Sequence, residues 1–251
     1  MKKLSNFVWL LAIALTTTFT LTACSDSKND EPDAEKGKVK VNPAKVFVNG
    51  MPKIMDGYVF TKDAQGRVSS IVNKKEKEEI KFEYRSDVLD TTEEPNVVMT
   101  VNDIPKSKTW NLKYNSDGRL VEAVQTQGGY QTTSTIKYEN GDATESSTVS
   151  QKEGKETDHY RIFYTSSKVT SPIVNKGCIM SFDVALGVDL DDLENAYYAG
   201  MLGKATKHLP IYNLNGDNER TSFEWTINKE GFPTKVIVKD EDGKGESNIV
   251  W

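Results

Sequence analysis

The chain has 251 residues, 37% of them apolar, and a formal net charge of −5. That apolar share suffices for one sizeable core or two small ones. The acidic balance, with both signs mixed and no basic stripe, gives no electrostatic reason to expect a nucleic-acid partner.

The first segment carries an address. Lys2 and Lys3 form a basic start, Phe7 to Leu21 an apolar run, and Leu21-Thr22-Ala23-Cys24 places small residues just before a cysteine. The run is too short and too poorly flanked for a comfortable membrane span. The pattern resembles the bacterial lipobox. The resemblance implies that residues 1–23 are a lipoprotein signal peptide, cut after Ala23, and that Cys24 becomes an acylated first residue. Several acyl chains, each contributing about 0.8 kcal/mol per buried methylene, hold a protein to a membrane where one chain does not. With Cys24 modified, Cys178 has no partner for a disulfide, and its setting in Gly177 to Phe182 reads as a buried, inert thiol.

Residues 24–37 are polar and acidic, with Asp26, Asp30, Glu31, Asp33 and Glu35, and form an expected flexible tether. Ser25 follows the cysteine where an inner-membrane retention signal would have Asp. The acidic tract resembles the export signal of Bacteroidetes surface lipoproteins, which implies an outer-membrane, surface-exposed position; the periplasm-facing leaflet is the alternative.

Residues 38–251 read as a single β-rich domain. Short alternating runs begin at Val39-Lys40-Val41 and Val46-Phe47-Val48 and continue through Tyr58–Phe60, Ile80–Tyr84, Val97–Val101 and Trp110–Tyr114, each bounded by Gly, Asn, Asp or Pro. Hairpins recur. Tyr58–Val68 and Leu112–Leu120 share an aromatic strand end, a polar turn and a Gly followed two residues on by a hydrophobe, and Ile136–Asp142 and Phe223–Pro233 look related. These hairpins resemble those of YD/Rhs repeats at a less even spacing. Tyr160–Tyr164 continues the sheet, Val169–Asn175 with Pro172 reads as an edge or a crossing, and Ile249-Val250-Trp251 is expected to dock.

One helix interrupts this pattern, in Asp189–Pro210. Asp191 with Glu194 three residues later predicts a capping box. Leu193, Ala196, Tyr197, Gly200 and Met201 predict one apolar stripe, Gly200 a close approach by another backbone, Gly203 the C-terminal cap and Pro210 the stop. The expected fold is mostly β: a single long curved antiparallel sheet of successive hairpins wrapped around one short α-helix.

The helix stretch, with its Tyr198-Ala199-Gly200-Met201-Leu202-Gly203-Lys204 core and Leu209-Pro210, is similar to the hallmark segment of a Bacteroidetes lipoprotein family carrying domain of unknown function 4595. The flanking hairpins and the lipobox fit the same pattern. The resemblance implies a wrapped β-fold in the cell envelope and no activity.

Candidate chemistry is sparse. His159 and His208 lack partners at metal-ligand spacing. Asp189, Asp191, Asp192 and Glu194 lack the central Gly of a calcium loop and suit helix capping instead. Gly203-Lys204 lacks the earlier Gly and the Ser or Thr of a phosphate loop. No metal or cofactor is expected, and no catalytic residue stands out, so a non-enzymatic binding or scaffolding role is expected. The membrane, through lipid on Cys24, is the expected partner, with a polysaccharide or an envelope protein beside it. Tyr58, Trp110, Tyr114 and Trp225 are the aromatics that could stack on a carbohydrate, which makes a glycan-uptake accessory protein one alternative. A carrier of lipid or another hydrophobic ligand, holding it between helix and sheet, is the other.

Overall fold

The computed structural model describes residues 46–84, 97–101, 108–152 and 154–251. The expected signal peptide, Cys24, the expected tether and the strand expected at Val39–Val41 lie outside them. Among the described residues the chain forms one 14-stranded antiparallel sheet and a separate two-stranded ribbon.

The order across the large sheet is β5-β4-β3-β2-β1-β16-β15-β14-β13-β10-β9-β8-β7-β6. Four strands lead out from the middle in one direction: β1 (Ile54–Met55), β2 (Tyr58–Lys62), β3 (Val68–Asn73) and β4 (Glu78–Tyr84), ending at β5 (Val97–Val101). The other edge is β6 (Lys108–Tyr114), followed inward by β7 (Leu120–Gln127), β8 (Tyr130–Glu139), β9 (Asp142–Ser150) and β10 (Lys155–Phe163). After a long insertion, β13 (Tyr212–Leu214), β14 (Arg220–Ile227), β15 (Pro233–Lys239) and β16 (Lys244–Val250) return to β1, pairing Ile54 with Val250. The sheet is not closed, yet its two edges, β5 and β6, are consecutive in the chain. The seven peptide links from Val101 to Lys108 reach at most about 25 Å. A flat sheet of this size would hold its edges about 60 Å apart, so the wall curls back on itself.

Four hairpins share one loop chemistry. In each, an Asx residue accepts amide hydrogen bonds with its side chain while its own N–H bonds the carbonyl four residues on: Asp63 with Arg67, Asn115 with Arg119, Asn215 with Glu219, Asn228 with Phe232. The fourth loop position is left-handed, filled by Gly66, Gly118, Asn218 and Gly231. Asx side chains that mimic a turn and a residue free to take positive φ are what this geometry needs. Of the hairpins expected to be alike, Ile136–Asp142 differs: it turns on Asn140-Gly141, both at positive φ, as a two-residue loop. Asn215–Glu219, not among the hairpins expected from the sequence, is a true copy.

The insertion, residues 164–211, fills the inside of the curled wall. It holds α1 (Asp183–Leu186), a 3₁₀ helix η1 (Asp191–Ala199), and the ribbon of β11 (Ile173–Val174) with β12 (His208–Leu209). Inward residues of the wall, among them Val68, Ile71, Phe82, Leu120 and Ile136, join Leu186, Val188, Leu190, Tyr197 and Leu202 of this plug in one core. Val46 and Phe47, expected in a strand, instead form no strand and bury themselves against the plug; the Phe47 ring lies 5.3 Å from that of Tyr197. Outward positions carry cross-strand ion pairs, Lys113–Glu122, Lys137–Glu145 and Lys235–Glu246, each at 2.6 Å.

The central helix is corrected in three respects. It is 3₁₀ rather than α, and no capping box forms. Asp191 sits at φ 50°, its N–H bonds the Asp189 carboxylate at 2.8 Å, and Glu194 reaches away to accept the Phe182 N–H at 2.9 Å. Burial is not a stripe either: Ala196 to Gly200 are buried on all sides because the wall surrounds them. The left-handed C-terminal cap is Gly200, at φ 81°, whose N–H bonds Ala196 and Tyr197. Gly203 is the close-packed glycine instead: it bridges to Arg119, and a Cβ on it would lie 2.3 Å from the Gly118 carbonyl oxygen.

Candidate functional site

Tight joints hold one side of the plug to the wall. Lys204 N–H bonds Gly118 O at 2.9 Å and Lys207 N–H bonds Gly141 O at 3.0 Å. The Ser146 hydroxyl donates to Leu186 O, Gly187 lies against the Tyr160 ring, and Asp142 accepts both the backbone N–H of His208 at 2.8 Å and a bond from its Nδ1 at 2.7 Å. His208 is thus an anchor of the plug. His159 lies on the wall, in a small recess of about 90 Å³ beside the Lys137–Glu145 pair. Cys178 is buried, its backbone at φ 52° held by the Tyr197 hydroxyl on its carbonyl at 2.7 Å, and burial pushes its thiol up, away from the reactive thiolate.

The opposite side of the plug is open. A cavity of about 300 Å³ lies between α1 and η1 on one hand and β1, β2 and β14 to β16 on the other. Its wall follows from strand alternation and register. Trp225 pairs Val236, which pairs Ser247, and Phe223 pairs Val238, so these side chains share the inner face. Ile249 pairs Met55, Met55 pairs Tyr58, and Phe60 follows two residues on, which carries the same face across β16, β1 and β2. The plug supplies Ile179, Met180, Asp183, Ala185, Glu194 and Tyr198.

Of the four expected stacking aromatics, the structure brings Tyr58 and Trp225 together at this cavity and leaves two elsewhere. Tyr114 packs on the core with its hydroxyl on Met201 O at 2.6 Å, and Trp110 also packs on the core from β6. At the cavity, Trp225 Nε1 donates to Pro210 O at 2.8 Å, the Tyr58 hydroxyl is bound to Glu78, and the Tyr198 hydroxyl donates to Met55 Sδ at 3.2 Å. The rings of Phe60 and Tyr198 stand 4.6 Å apart.

Three acids line the space: Asp56, Asp183 and Glu194. Burial pushes the Glu194 carboxyl up to about 7, the Phe182 N–H pulling it down and Asp183 and Asp189 pushing it further up. Burial also raises Asp183, with Asp189, Asp158 and Asp191 adding to it. Among the described residues lining the cavity there is no Lys, Arg or His. No cluster of three or more His, Cys, Asp or Glu suited to a metal ion occurs among the described residues. Asp183, Phe60, Tyr198 and Phe223 were not singled out from sequence. Asp183 had a signal, as a lone acid in the apolar run Ile179–Leu186; the rings become neighbours only once β1 pairs with β16.

Solved structures that resemble the chain include two porin-like proteins. One is a porin-like protein from Bacteroides uniformis ATCC 8492, 14% identical, with a TM-score of 0.43 over 77% of this chain and 89% of that one. The other is a porin-like protein from Bacteroides vulgatus ATCC 8482, 10% identical, with a TM-score of 0.41 over 80% of each chain. No curated protein matches. The profile of a domain of unknown function with porin-like fold matches residues 74–235, which include the whole plug. More than half of the sequence being covered by that profile, the chain belongs to the DUF4595 family.

Proposed function

We propose that the protein is a lipid-anchored envelope protein that binds a small, mainly apolar ligand, without catalysis, in the cavity between plug and wall. The cavity carries this reading: between the plug and the curled wall about 300 Å³ stays open and is lined mostly by apolar and aromatic side chains. That is the size and character of small-molecule sites. The outward ion pairs support a body in water, because a membrane barrel turns an apolar band outward and keeps charge inside. The lipobox at Cys24 supports the anchor, and the acidic tract behind it supports an outer-membrane, cell-surface address.

Two measurements test this. The chain made in a lipoprotein-processing bacterium partitions into the detergent phase, and Cys24→Ala moves it to the aqueous phase; equal partitioning of both would overturn the anchor. Titration of the Cys24→Ala chain with the uncharged probe N-phenyl-1-naphthylamine gives saturable fluorescence that Val238→Phe abolishes. Absence of saturable binding would overturn the cavity reading.

A second reading, recognition of a glycan or an envelope partner at the cell surface, draws on Tyr58 and Trp225 sharing one cavity. Saturable binding on a glycan array, lost in Trp225→Ala, would favour it over the first.

A further inference from the structure

We propose that the cavity takes an organic cation with an apolar body, an alkylammonium compound, in preference to a fatty acid or an alcohol of the same chain length. The inference rests on the cavity reading above and adds the charge of its ligand. Asp56, Asp183 and Glu194 place carboxyls on the lining, and no basic side chain among the described lining residues opposes them. A ligand carboxylate would bring a like charge into this space with no cation to receive it.

Aromatic rings supply the second half of the argument. Tyr58, Phe60, Tyr198, Phe223 and Trp225 come from β2, η1 and β14 onto the same space. The faces of such rings attract ammonium groups, most strongly where water is excluded, and an aromatic lining is the usual recognition device for quaternary ammonium. The polar handles of these rings are already committed. The Trp225 indole holds Pro210, the Tyr58 hydroxyl is bound to Glu78, and the Tyr198 hydroxyl faces Met55 Sδ. Ser181, Asn195 and Ser247 are what remains for a neutral polar head. The lining thus combines aromatic rings with acids, while the aliphatic lining of Met180, Val236, Val238 and Ile249 suits an alkyl body. Burial and the neighbouring acids hold the Asp183 and Glu194 carboxyls up, a penalty on their charged forms that a bound cation would relieve.

The test is displacement of N-phenyl-1-naphthylamine from the Cys24→Ala chain at pH 8 by decyltrimethylammonium, decanol or decanoate. The expected result is displacement by the cation at a concentration at least tenfold below that of either competitor. Asp183→Asn and Glu194→Gln, each keeping shape and a hydrogen-bond acceptor, are expected to cut that preference to under threefold, read as the ratio of displacing concentrations within each variant after its own probe affinity has been measured. Equal or better displacement by decanoate or decanol, with the probe still bound, would overturn the cation and leave the cavity reading standing. A preference untouched in both variants would also overturn it. A probe that never binds would overturn both readings together.

Discussion

The two sides of the plug meet the wall in different ways. Toward β6 to β10 backbone joints reinforce the side-chain bonds of Ser146 and Asp142: Lys204 and Lys207 amides reach the turn carbonyls of Gly118 and Gly141, and Gly203 and Gly187 let chain and ring approach where no Cβ fits. Toward β1, β2 and β14 to β16 the contact is side chain on side chain, with an open space left between. Backbone joints fix position but tolerate no added atom, whereas a side-chain boundary can leave room and vary its chemistry. The first side specifies the fold, and the second is where a ligand can be chosen.

The sharpest way to break this contrast is at a joint. Gly203→Ala places a Cβ 2.3 Å from a backbone oxygen at a residue with φ 75°, so it strains the backbone and pushes the turn away together. A loss of about 3 kcal/mol or more is expected in urea unfolding; a loss below about 1 kcal/mol would mean the joint is loose.

The second effect belongs to the open side and depends on pH. Glu194 has an ordinary value of 4.5 and is pushed up to about 7 in the fold. A carboxyl raised on folding holds its proton more tightly in the native state. Its contribution is therefore complete below about pH 4.5 and is lost as pH rises through about 7. Relative to Glu194→Gln, the wild-type chain is expected to lose about 3 kcal/mol between pH 4.5 and pH 8, read from urea midpoints at several pH values. Asp183, raised in the same direction, would steepen the loss. A pH-independent difference between the two chains would place Glu194 in water rather than at the cavity.

Smaller effects sharpen the contrast. Val238→Phe grows into the cavity and is expected to change stability by no more than about 1 kcal/mol, far less than a small residue added at the joint, while abolishing probe binding. Lys204→Ala removes a side chain but not the amide that bonds Gly118, so thermal melts should move by less than about 0.5 kcal/mol in stability.

Much of the wall was legible in the sequence because a strand with one buried face repeats every two residues, as Ile80-Lys81-Phe82-Glu83-Tyr84 does, and because Asx and Gly mark its loops. The plug was legible as a location but not as a conformation. A capping box requires Asp191 to begin a helix in ordinary geometry, and here its positive φ and the Asp189 side chain hold its amide elsewhere. Gly200 and Gly203 exchanged expected roles for a similar reason, since a cap and a close approach both select glycine and only the neighbour, Gly118, tells them apart. Half of the stacking aromatics met at one place and half did not. Trp110 and Tyr114 alternate on their strand much as Tyr58 and Phe60 do, and what separates the pairs is whether the plug lies against the wall at that position.

The pairing of β1 with β16 sets an order of events in time. Ile54 must find Val250, so nearly the whole chain has to emerge before the first strand acquires its second neighbour. The plug, lying between β10 and β13, is made before the last four strands that enclose it. Contacts so distant in sequence fold slowly. A nascent chain therefore spends its longest interval with one edge of β1 unpaired. The cavity, whose lining spans that final seam, is the last part of the molecule to exist.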